Sequence, residues 1–415
     1  MTSALTSAAL VPCGDNVAST FTLRPYQTAA VEAAVEFATA KRKGKGKVKD
    51  NGLLIEPTGS GKSLVIAEVV HRLADMYPLV FQPSKEILQQ NLDKLVSYGY
   101  FPGVFSASMR SRRVSDITLA TIGSVVKRAD LFEKCKLLLV DEAHLINPKG
   151  GQYTSFFADL PADKIVLGLT ATPYRLASSA MGGPIVRFMT HTRPRTFGHV
   201  LHVTQNFELF SQGYLAPLVY KQVPGFDRKN LQLNSTGGDY TDESVQRHFR
   251  ELNFPDQIVR VIERARAAGR KSILAFTRFQ SEANYVAEKI LGAAVVTDKT
   301  PEKERARILT QFKAGVIDVV INVKVLSVGF DHPALDTVVL ARPTCSLALY
   351  YQMVGRAVRP SPGKTEAWVI DMVELRKQFG PVESLIIARE EDKWTVTQRQ
   401  QELTGRYLRE LEPFA

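Results

Sequence analysis

The sequence predicts an α/β protein with two mostly parallel sheets, each covered by helices on both faces. Two observations lead to this prediction. Short apolar runs alternate with amphipathic helical segments, and alternation of strands with helices is typical of a parallel sheet. The alternation weakens between about residues 205 and 253 and then starts again, so we expect two such units in tandem.

Composition and charge are those of a globular protein with an acidic partner. The 415 residues suffice for roughly two or three domains, and 45% of them are hydrophobic. The net charge of +11 favours a nucleic acid as partner. Cys13, Cys135 and Cys345 are too far apart to indicate a disulfide framework or a zinc site, and they fit a reducing cytoplasm. We find neither a signal peptide nor a membrane span, so no membrane partner is expected.

These patterns divide the chain into segments of different character. The first residues are predicted to be a disordered arm, and the segment between the two units is rich in glycine, proline and polar residues. We expect an N-terminal arm (1–20), a first domain (21–205), a connector (206–254), a second domain (255–374) and a C-terminal helical tail (375–415).

Residues 53–63, LLIEPTGSGKS, have the pattern of a triphosphate-binding loop. The apolar run predicts a buried strand, and Lys62 begins a helix that runs to about Asp75. The glycines between them let successive N–H groups curl around phosphates, where the helix macrodipole favours negative charge. Lys62 would reach the β- and γ-phosphates, and the Ser63 hydroxyl would complete a Mg²⁺ shell. The strict pattern has glycine in place of Glu56, so a plain glycine-rich turn is the alternative.

The rest of the first domain is predicted from its apolar periodicity. A helix should have Pro25 in its first turn. Residues 41–49, KRKGKGKVK, carry six cations and should form a loop that is either solvated or in contact with nucleic-acid phosphates. Beyond the loop of residues 53–63 and its helix we predict a strand near 79–81, a helix near 85–97 and a strand near 117–120.

Two further strands of the first domain are predicted to end in polar residues. The apolar run 137–140 is followed by Asp141 and Glu142, and the run 165–169 is followed by Thr170. In open α/β sheets, functional groups collect beyond the carboxyl ends of the strands. Asp141 can hold Mg²⁺, and Glu142 can orient and deprotonate an attacking water. Such an acidic pair is usually structural when it stands alone, but here it follows a phosphate-binding loop.

The second domain has no phosphate-binding loop of its own, but its last predicted helix carries a charged face. On that helix Gln352, Arg356 and Arg359 are spaced four and three residues apart, so one face would carry an amide and two guanidinium groups. By itself this is also what an ordinary charged helix would show. The predicted helices lie near 256–268, 281–291, 301–314 and 347–358, and the strands near 272–276, 294–297, 318–322, 337–340 and 366–370.

Together these motifs resemble those of the superfamily 2 DNA and RNA helicases of the DEAH-box kind, which consist of two RecA-like domains. The motifs stand in the family's order, and the resemblance covers residues 23–371. The matching segments are 24–27 (adenine-recognising segment), 57–63 (motif I), 141–144 (motif II), 170–172 (motif III), 329–331 (motif V) and 352–359 (motif VI).

The resemblance implies that ATP and Mg²⁺ bind between the two domains. The implied nucleotide-binding residues are Arg24, Gln27, Thr58, Gly59, Ser60, Gly61, Lys62, Ser63, Gly329 and Asp331. Ser63 and Asp141 would hold the metal. The implied catalytic residues are Lys62, Asp141, Glu142, Gln352, Arg356 and Arg359, with the two arginines reaching across from the second domain. The residues implied to couple nucleotide state to domain closure are His144, Thr170 and Thr172.

Nucleic acid would cross the opposite rim of both domains, with contacts mostly to phosphates, because a motor that moves along any sequence cannot depend on base edges. The residues implied by the family's motifs are Pro83, Ser84, Thr121, Ser124, Thr277, Arg278 and Lys324. In detail the chain looks closest to RadD-type repair helicases and their phage-encoded relatives. It departs from them at Lys324, where many helicases carry a small residue, and nothing after Cys345 could bind zinc.

The expected function is therefore that of an ATP-dependent DNA helicase or translocase in repair, recombination or phage replication. Three alternatives remain open: an RNA helicase, a translocase on double-stranded DNA without strand separation, and a nucleic-acid-binding protein with a degenerate ATPase. The intact catalytic residues argue against the last of these. The sequence does not identify a protein partner.

Overall fold

The computed structural model describes residues 21–42, 51–178, 183–326, 330–398 and 401–403. The predicted N-terminal arm, most of the basic run 41–49, and Gly329 lie outside this part of the chain.

The first domain is built on a mostly parallel sheet. Its strands are β1 (Gly52–Ile55), β2 (Leu79–Phe81), β3 (Gly103–Ser106), β4 (Ser111–Arg112), β5 (Thr118–Ala120), β6 (Leu137–Asp141), β7 (Ile165–Thr170) and, after a separate hairpin of β8 (Tyr174–Ser178) and β9 (Pro184–Phe188), β10 (His199–Val203). The order across the sheet is β10-β1-β7-β6-β2-β5-β3-β4. All neighbours are parallel except β3 and β4.

Helices cover both faces of this sheet. They are α1 (Pro25–Arg42), α2 (Lys62–Arg72), α3 (Lys85–Ser97), α4 (Ile122–Val125) and α5 (Gln152–Ala158). Successive side chains of β1 point to opposite faces. Leu54 packs with Val31 of α1 and Val65 of α2, whereas Leu53 belongs to the cluster that contains Phe156 of α5. The unbroken apolar runs of β1, β2 and β6 reflect this burial on both sides.

The second domain is a fully parallel sheet. Its strands are β11 (Leu218–Gln222), β12 (Ile273–Thr277), β13 (Ala294–Val296), β14 (Val319–Val323), β15 (Thr337–Ala341) and β16 (Ala367–Asp371), in the order β11-β16-β15-β12-β14-β13. Parallel neighbours need crossover connections. Helices supply these connections. The helices from the end of the first domain onward are α6 (Asn206–Ser211), α7 (Asp242–Glu251), α8 (Phe254–Ala267), α9 (Gln280–Lys289), α10 (Glu302–Lys313), α11 (Leu347–Val354) and α12 (Leu375–Phe379). The predicted fold class is confirmed.

The segment predicted as a connector, 206–254, differs from that prediction. It contains α6, β11 and α7, and β11 pairs with β16 along the edge of the second sheet. Most residues of β11 are only partly buried, because an edge strand has one neighbour. Its sequence, LVYKQ, therefore lacks the unbroken apolar run that marked the central strands.

The predicted C-terminal helical tail is wrong for the described residues beyond α12. They form an antiparallel sheet of β17 (Leu385–Glu390), β18 (Lys393–Gln398) and β19 (Gln401–Glu402). The Trp394 ring of β18 stacks on Phe188 of the first domain, with ring centroids 6.2 Å apart. The Gln205 amide exchanges hydrogen bonds of 2.7 and 3.1 Å with the Ile387 backbone. These tertiary contacts favour strands over a helix.

None of the described helices is both long and apolar enough to cross a bilayer.

Glu56, which stands where the strict phosphate-loop pattern has glycine, joins β1 to β10. Its backbone N–H donates to the Thr170 carbonyl (3.0 Å), and its fully buried carboxyl accepts a bond of 2.8 Å from the Thr204 hydroxyl. Burial raises the pKa of Glu56 to about 7, although the Thr204 hydrogen bond and the charge of Lys62 oppose the shift.

The raised pKa of Glu56 makes stability depend on pH in a definite direction. The pKa of a glutamate is about 4.3 in the unfolded chain, against about 7 for Glu56 in the folded protein. Between these two pH values only the unfolded chain loses the proton, so the free energy of unfolding falls as pH rises. Glu56→Gln keeps an acceptor for Thr204 and cannot ionise. We expect it to match the parent near pH 5 and to be more stable by up to about 3 kcal/mol at pH 8.

Thermal unfolding at pH 5, 6, 7 and 8 tests this expectation, with the exposed Glu86→Gln as the matched control. Parallel pH profiles for the parent and Glu56→Gln would show that Glu56 is ionised in the folded protein.

Candidate functional site

The loop between β1 and α2 has the conformation that a phosphate-binding loop needs. Gly59 and Gly61 have φ angles of 86° and 88°, in the left-handed region that favours glycine. The Ser60 N–H donates to the Pro57 carbonyl at 3.1 Å and closes the turn. Gly61 caps α2, and Lys62 is the first residue of that helix. The N–H groups at the start of α2 are thereby available to an anion at this loop.

The segment before α1 holds this loop from behind. The Tyr26 hydroxyl and the Gln27 amide each donate to the Ser60 carbonyl at 2.7 Å. The other end of the Gln27 amide accepts from the Arg24 N–H (2.9 Å), and the Arg24 guanidinium lies 4.1 Å from the centroid of the Tyr214 ring. Gln27 is therefore buried and engaged on both sides, rather than presented to a base as predicted. Tyr26 was missed, although it stands between two predicted residues.

A continuous set of polar contacts runs from the loop to the second domain. The Lys62 ammonium lies 3.0 Å from one oxygen of Glu142, and Nδ1 of His144 lies 3.2 Å from the other. The same His144 nitrogen lies 3.0 Å from the Thr170 hydroxyl. Nε2 of His144 contacts the Gln352 amide nitrogen of α11 at 3.1 Å. These four contacts link α2, the end of β6, the end of β7 and α11.

The two carboxyl groups at the end of β6 differ in charge. Burial and the neighbouring charge of Glu142 raise the pKa of Asp141 to about 7. Burial also acts to raise the pKa of Glu142, but Lys62 and His144 outweigh it and the pKa is lowered. Negative charge is thus concentrated on Glu142. A cation bound at Asp141 would lower its pKa in turn.

A cavity of about 490 Å³ lies between the two domains and is lined by most of the residues predicted to bind the nucleotide. The predicted residues that line it are Thr58, Gly59, Gly61, Lys62, Ser63, Asp141, Glu142, Asp331, Gln352, Arg356 and Arg359. Ser60, Arg24 and Gln27 lie outside the lining. Ile87, Gln90, Asp93 and Lys94 of α3 also line the cavity, and no sequence motif marks them.

The helix predicted over 347–358 is shorter than expected, and this corrects how the arginines were placed. α11 ends at Val354, so Arg356 and Arg359 lie beyond it. The Val358 carbonyl accepts from the Ala216 N–H at 2.7 Å instead of continuing a helix. Pro360 disfavours helical backbone at Arg359. A turn, rather than a single helix face, therefore brings the two arginines into the cavity.

Both arginines are held by the loop before β15. Nη1 of Arg356 donates to the Phe330 carbonyl at 2.7 Å, and Arg359 forms an ion pair with Asp331. Burial lowers the pKa of each guanidinium to about 10, so both are cations at neutral pH.

The threonines after β7 are buried. The Thr170 hydroxyl accepts from the Thr172 N–H at 3.0 Å, and both side chains have no exposed surface. Thr170 contacts His144 directly, whereas the Thr172 hydroxyl has no hydrogen-bond partner among the described residues.

Four of the residues predicted to contact nucleic acid meet in a second cavity, of about 680 Å³, on the first domain. They are Pro83, Ser84, Thr121 and Ser124. Asn147 and Gln152 were not predicted, but they line the same cavity with polar side chains.

The three residues predicted on the second domain differ in their exposure. Thr277 is fully buried. Arg278 is engaged within the domain, since it donates to Asp242 and to the Tyr240 and Pro343 carbonyls. Only Lys324 of the three is exposed. The structure therefore does not present Thr277 and Arg278 to a ligand.

Comparison with known families gives two matches in tandem. Residues 20–175 match the family described as "Type III restriction enzyme, res subunit", and residues 255–361 match "Helicase conserved C-terminal domain". The first match lies within the first sheet domain and the second match lies within the second.

Individual relatives agree with these matches. A 51.5 kDa protein of a Lactococcus phage is 29% identical over 77% of this chain, which spans 65% of the phage protein. The DNA 3'-5' translocase XPB2 of Sulfurisphaera tokodaii is 24% identical, with 85% of this chain and 81% of that protein covered. The putative ATP-dependent helicase IRC3 of Saccharomyces cerevisiae is 23% identical over 85% of this chain, which spans about half (51%) of that protein's length.

A solved structure shares the fold. Dbp5 of S. cerevisiae, bound to RNA and ADP BeF3, has a TM-score of 0.54 at 17% identity, with 85% of this chain and 88% of that chain covered. The two domain matches and these relatives together support an ATP-hydrolysing helicase of superfamily 2.

Proposed function

We propose that the protein is an ATP-dependent DNA helicase or translocase, in which hydrolysis between the two domains drives movement along the nucleic acid. The observation that carries this proposal is the contact series Lys62–Glu142–His144–Gln352. It connects the residue that would bind phosphate to the second domain through the residue that would activate water. A change at the nucleotide can therefore alter how the domains pack.

The residues around the loop of residues 53–63 fit ATP and its metal. N–H groups at the start of α2 and the Lys62 ammonium would bind the phosphates. The Ser63 hydroxyl and the Asp141 carboxyl line the same cavity, and oxygen ligands of this kind are those that Mg²⁺ prefers. Mg²⁺ would neutralise phosphate charge when bound.

Lys62 and His144 lower the pKa of Glu142, so it is ionised at neutral pH and its carboxylate can accept a hydrogen bond from the attacking water and orient it. In this structure Lys62 occupies one of its oxygens. A triphosphate competes for the same ammonium. We infer that nucleotide binding draws Lys62 away from Glu142 and frees a carboxylate oxygen for water.

Arg356 and Arg359 would supply positive charge from the second domain. Asp331 now pairs with Arg359, so Arg359 would exchange a carboxylate for the γ-phosphate as the cleft closes. A guanidinium that reaches the phosphate only on closure stabilises the transition state more than the bound ground state.

The net charge of +11 favours a nucleic acid as partner. Two relatives favour DNA over RNA, because one is named a DNA translocase and another belongs to a phage. We accordingly propose a DEAH-box helicase of RadD-like type that acts in repair, recombination or phage replication, in the cytoplasm of a bacterial or phage-infected cell. RNA is the second candidate, because Dbp5 is bound to RNA.

The first test is ATP hydrolysis by the parent chain with single-stranded DNA, duplex DNA, forked DNA and RNA in parallel. We expect single-stranded or forked DNA to stimulate hydrolysis most, and Lys62→Ala to lose hydrolysis by orders of magnitude while keeping its fold. Stimulation by RNA alone would favour the RNA helicase, and stimulation by duplex alone would favour a translocase without strand separation. Normal hydrolysis by Lys62→Ala would contradict the site.

The second prediction concerns Lys324, the exposed cation of the proposed track. Phosphate contacts release counterions, so Lys324→Ala should weaken DNA binding regardless of sequence and should reduce the slope of log K against log salt by about 0.7 to 0.9. Lys271→Ala is the matched control. This exposed lysine precedes β12, whereas Lys324 follows the parallel strand β14, so the two lysines lie at opposite ends of these strands. Fluorescence anisotropy between 50 and 200 mM salt measures both. Equal slopes for the two variants would remove Lys324 from the track.

The third prediction separates the two arginines. Arg359→Ala should lose DNA-stimulated turnover by about 10³-fold or more with little change in ATP affinity, while the exposed Arg389→Ala should not. Steady-state kinetics and binding of a fluorescent ATP analogue measure the two effects. If Arg359→Ala were active and Arg356→Ala inactive, Arg356 would be the finger. Activity in both variants would contradict the composite site.

A further inference from the structure

Lys364 lies in the segment between the two arginines and β16, and all three of its ammonium N–H groups are used. They donate to the carbonyls of Ala357 at 2.6 Å, Arg359 at 2.8 Å and Pro333 at 3.1 Å. An ammonium has three donors and no acceptor. The side chain is thus fully committed to backbone atoms of two other segments.

Those segments are the ones that carry the arginines and their partners. Ala357 and Arg359 belong to the turn after α11, and Pro333 lies in the loop before β15, which also contains Phe330 and Asp331. The same two segments are already joined by the Arg356 bond to the Phe330 carbonyl and by the ion pair of Arg359 with Asp331. Three cations therefore fasten the turn to the loop.

The position is electrostatically unfavourable for a lysine. Burial lowers the pKa of Lys364 to about 8, and nearby Arg359 and Arg270 act in the same direction, while Asp336 opposes them. A partly buried charge is costly unless its hydrogen bonds are made. All three hydrogen bonds of the Lys364 ammonium are made to backbone carbonyls, so they stabilise the backbone conformation of the turn.

We propose that Lys364 is a positioning residue for ATP hydrolysis, which holds the backbone of the turn 357–359 against Pro333 and so sets where the Arg359 guanidinium lies when the cleft closes. This inference rests on the proposed function. Lys364 does not line the nucleotide cavity, so it acts through Arg359 and not on the nucleotide. Its influence should consequently fall on the transition state and not on ground-state binding of ATP.

Lys364→Met tests the proposal, because it keeps the apolar stem and removes the three donors. We expect kcat for DNA-stimulated ATP hydrolysis to fall about 10²-fold, the order of loss caused by a misplacement of about 1 Å. KM for ATP and the affinity for a non-hydrolysable ATP analogue should stay near those of the parent. The affinity for ADP with aluminium fluoride, a transition-state analogue, should fall by a factor comparable to kcat.

Two comparisons distinguish positioning from a general loss of structure. Lys271→Met removes an exposed lysine of the same domain and should match the parent. Lys364→Met placed in an Arg359→Ala background should cause little further loss, because residues that act through one another are not additive. Circular dichroism checks that each variant is folded. If Lys364→Met does not fold, Lys364→Gln, which is shorter and has two donors, carries the same comparison.

The outcomes are distinct. A parent chain without hydrolysis would overturn the proposed function and this inference with it. An active parent with an equally active Lys364→Met, or Lys364→Gln, would overturn the inference alone. Equal losses in ATP affinity and kcat, or a full further loss in the Arg359→Ala background, would show a purely structural lysine and would also overturn it.

Discussion

The Glu142 carboxylate is the charge on which the rest of the site depends. It is only 15% exposed, and a buried carboxylate is costly unless it is paired. Lys62 pairs with one oxygen and His144 contacts the other. This one carboxylate therefore links the phosphate-binding loop to the end of β6 and, through His144 and Gln352, to the second domain. Glu142 itself has a φ of 51°, a conformation that a glutamate rarely adopts. Such an outlier is common at functional sites.

The topology explains why these groups can meet. β1, β7 and β6 are parallel neighbours, so the phosphate-binding loop, Thr170 and the two carboxyl groups all lie at one edge of the first sheet. The second sheet contributes through the loop before β15 and the turn after α11. Gly355 leaves room for this approach, since a Cβ atom there would lie 3.0 Å from the Thr58 side chain, a tight contact. The arginines therefore reach a site that neither domain forms alone.

The sequence was most informative where one segment carries its own signal. The apolar runs of β1 and β6 are buried on both faces, so they could be recognised without knowing their neighbours, and the polar residues after them were expected at the ends of these strands. The end of α11 was missed although Pro360 is a local signal against a helix at Arg359, and the Ala216 bond to Val358 spans a separation that the sequence does not reveal. The same reason applies to β18, which relies on Phe188, and to Gln27, whose partner is a carbonyl of the loop it supports. Lys364 carried no motif at all, and only its three carbonyl partners reveal it.

A crystal structure of the chain with Mg²⁺, ADP and aluminium fluoride would show directly whether hydrolysis takes place in a site shared by the two domains. We expect Lys62 to leave Glu142 for the phosphates, Arg359 to leave Asp331, and a guanidinium of the second domain to lie within hydrogen-bonding distance of the fluoride. A structure in which the fluoride is contacted by first-domain residues alone, with the Arg359–Asp331 pair intact, would contradict this expectation.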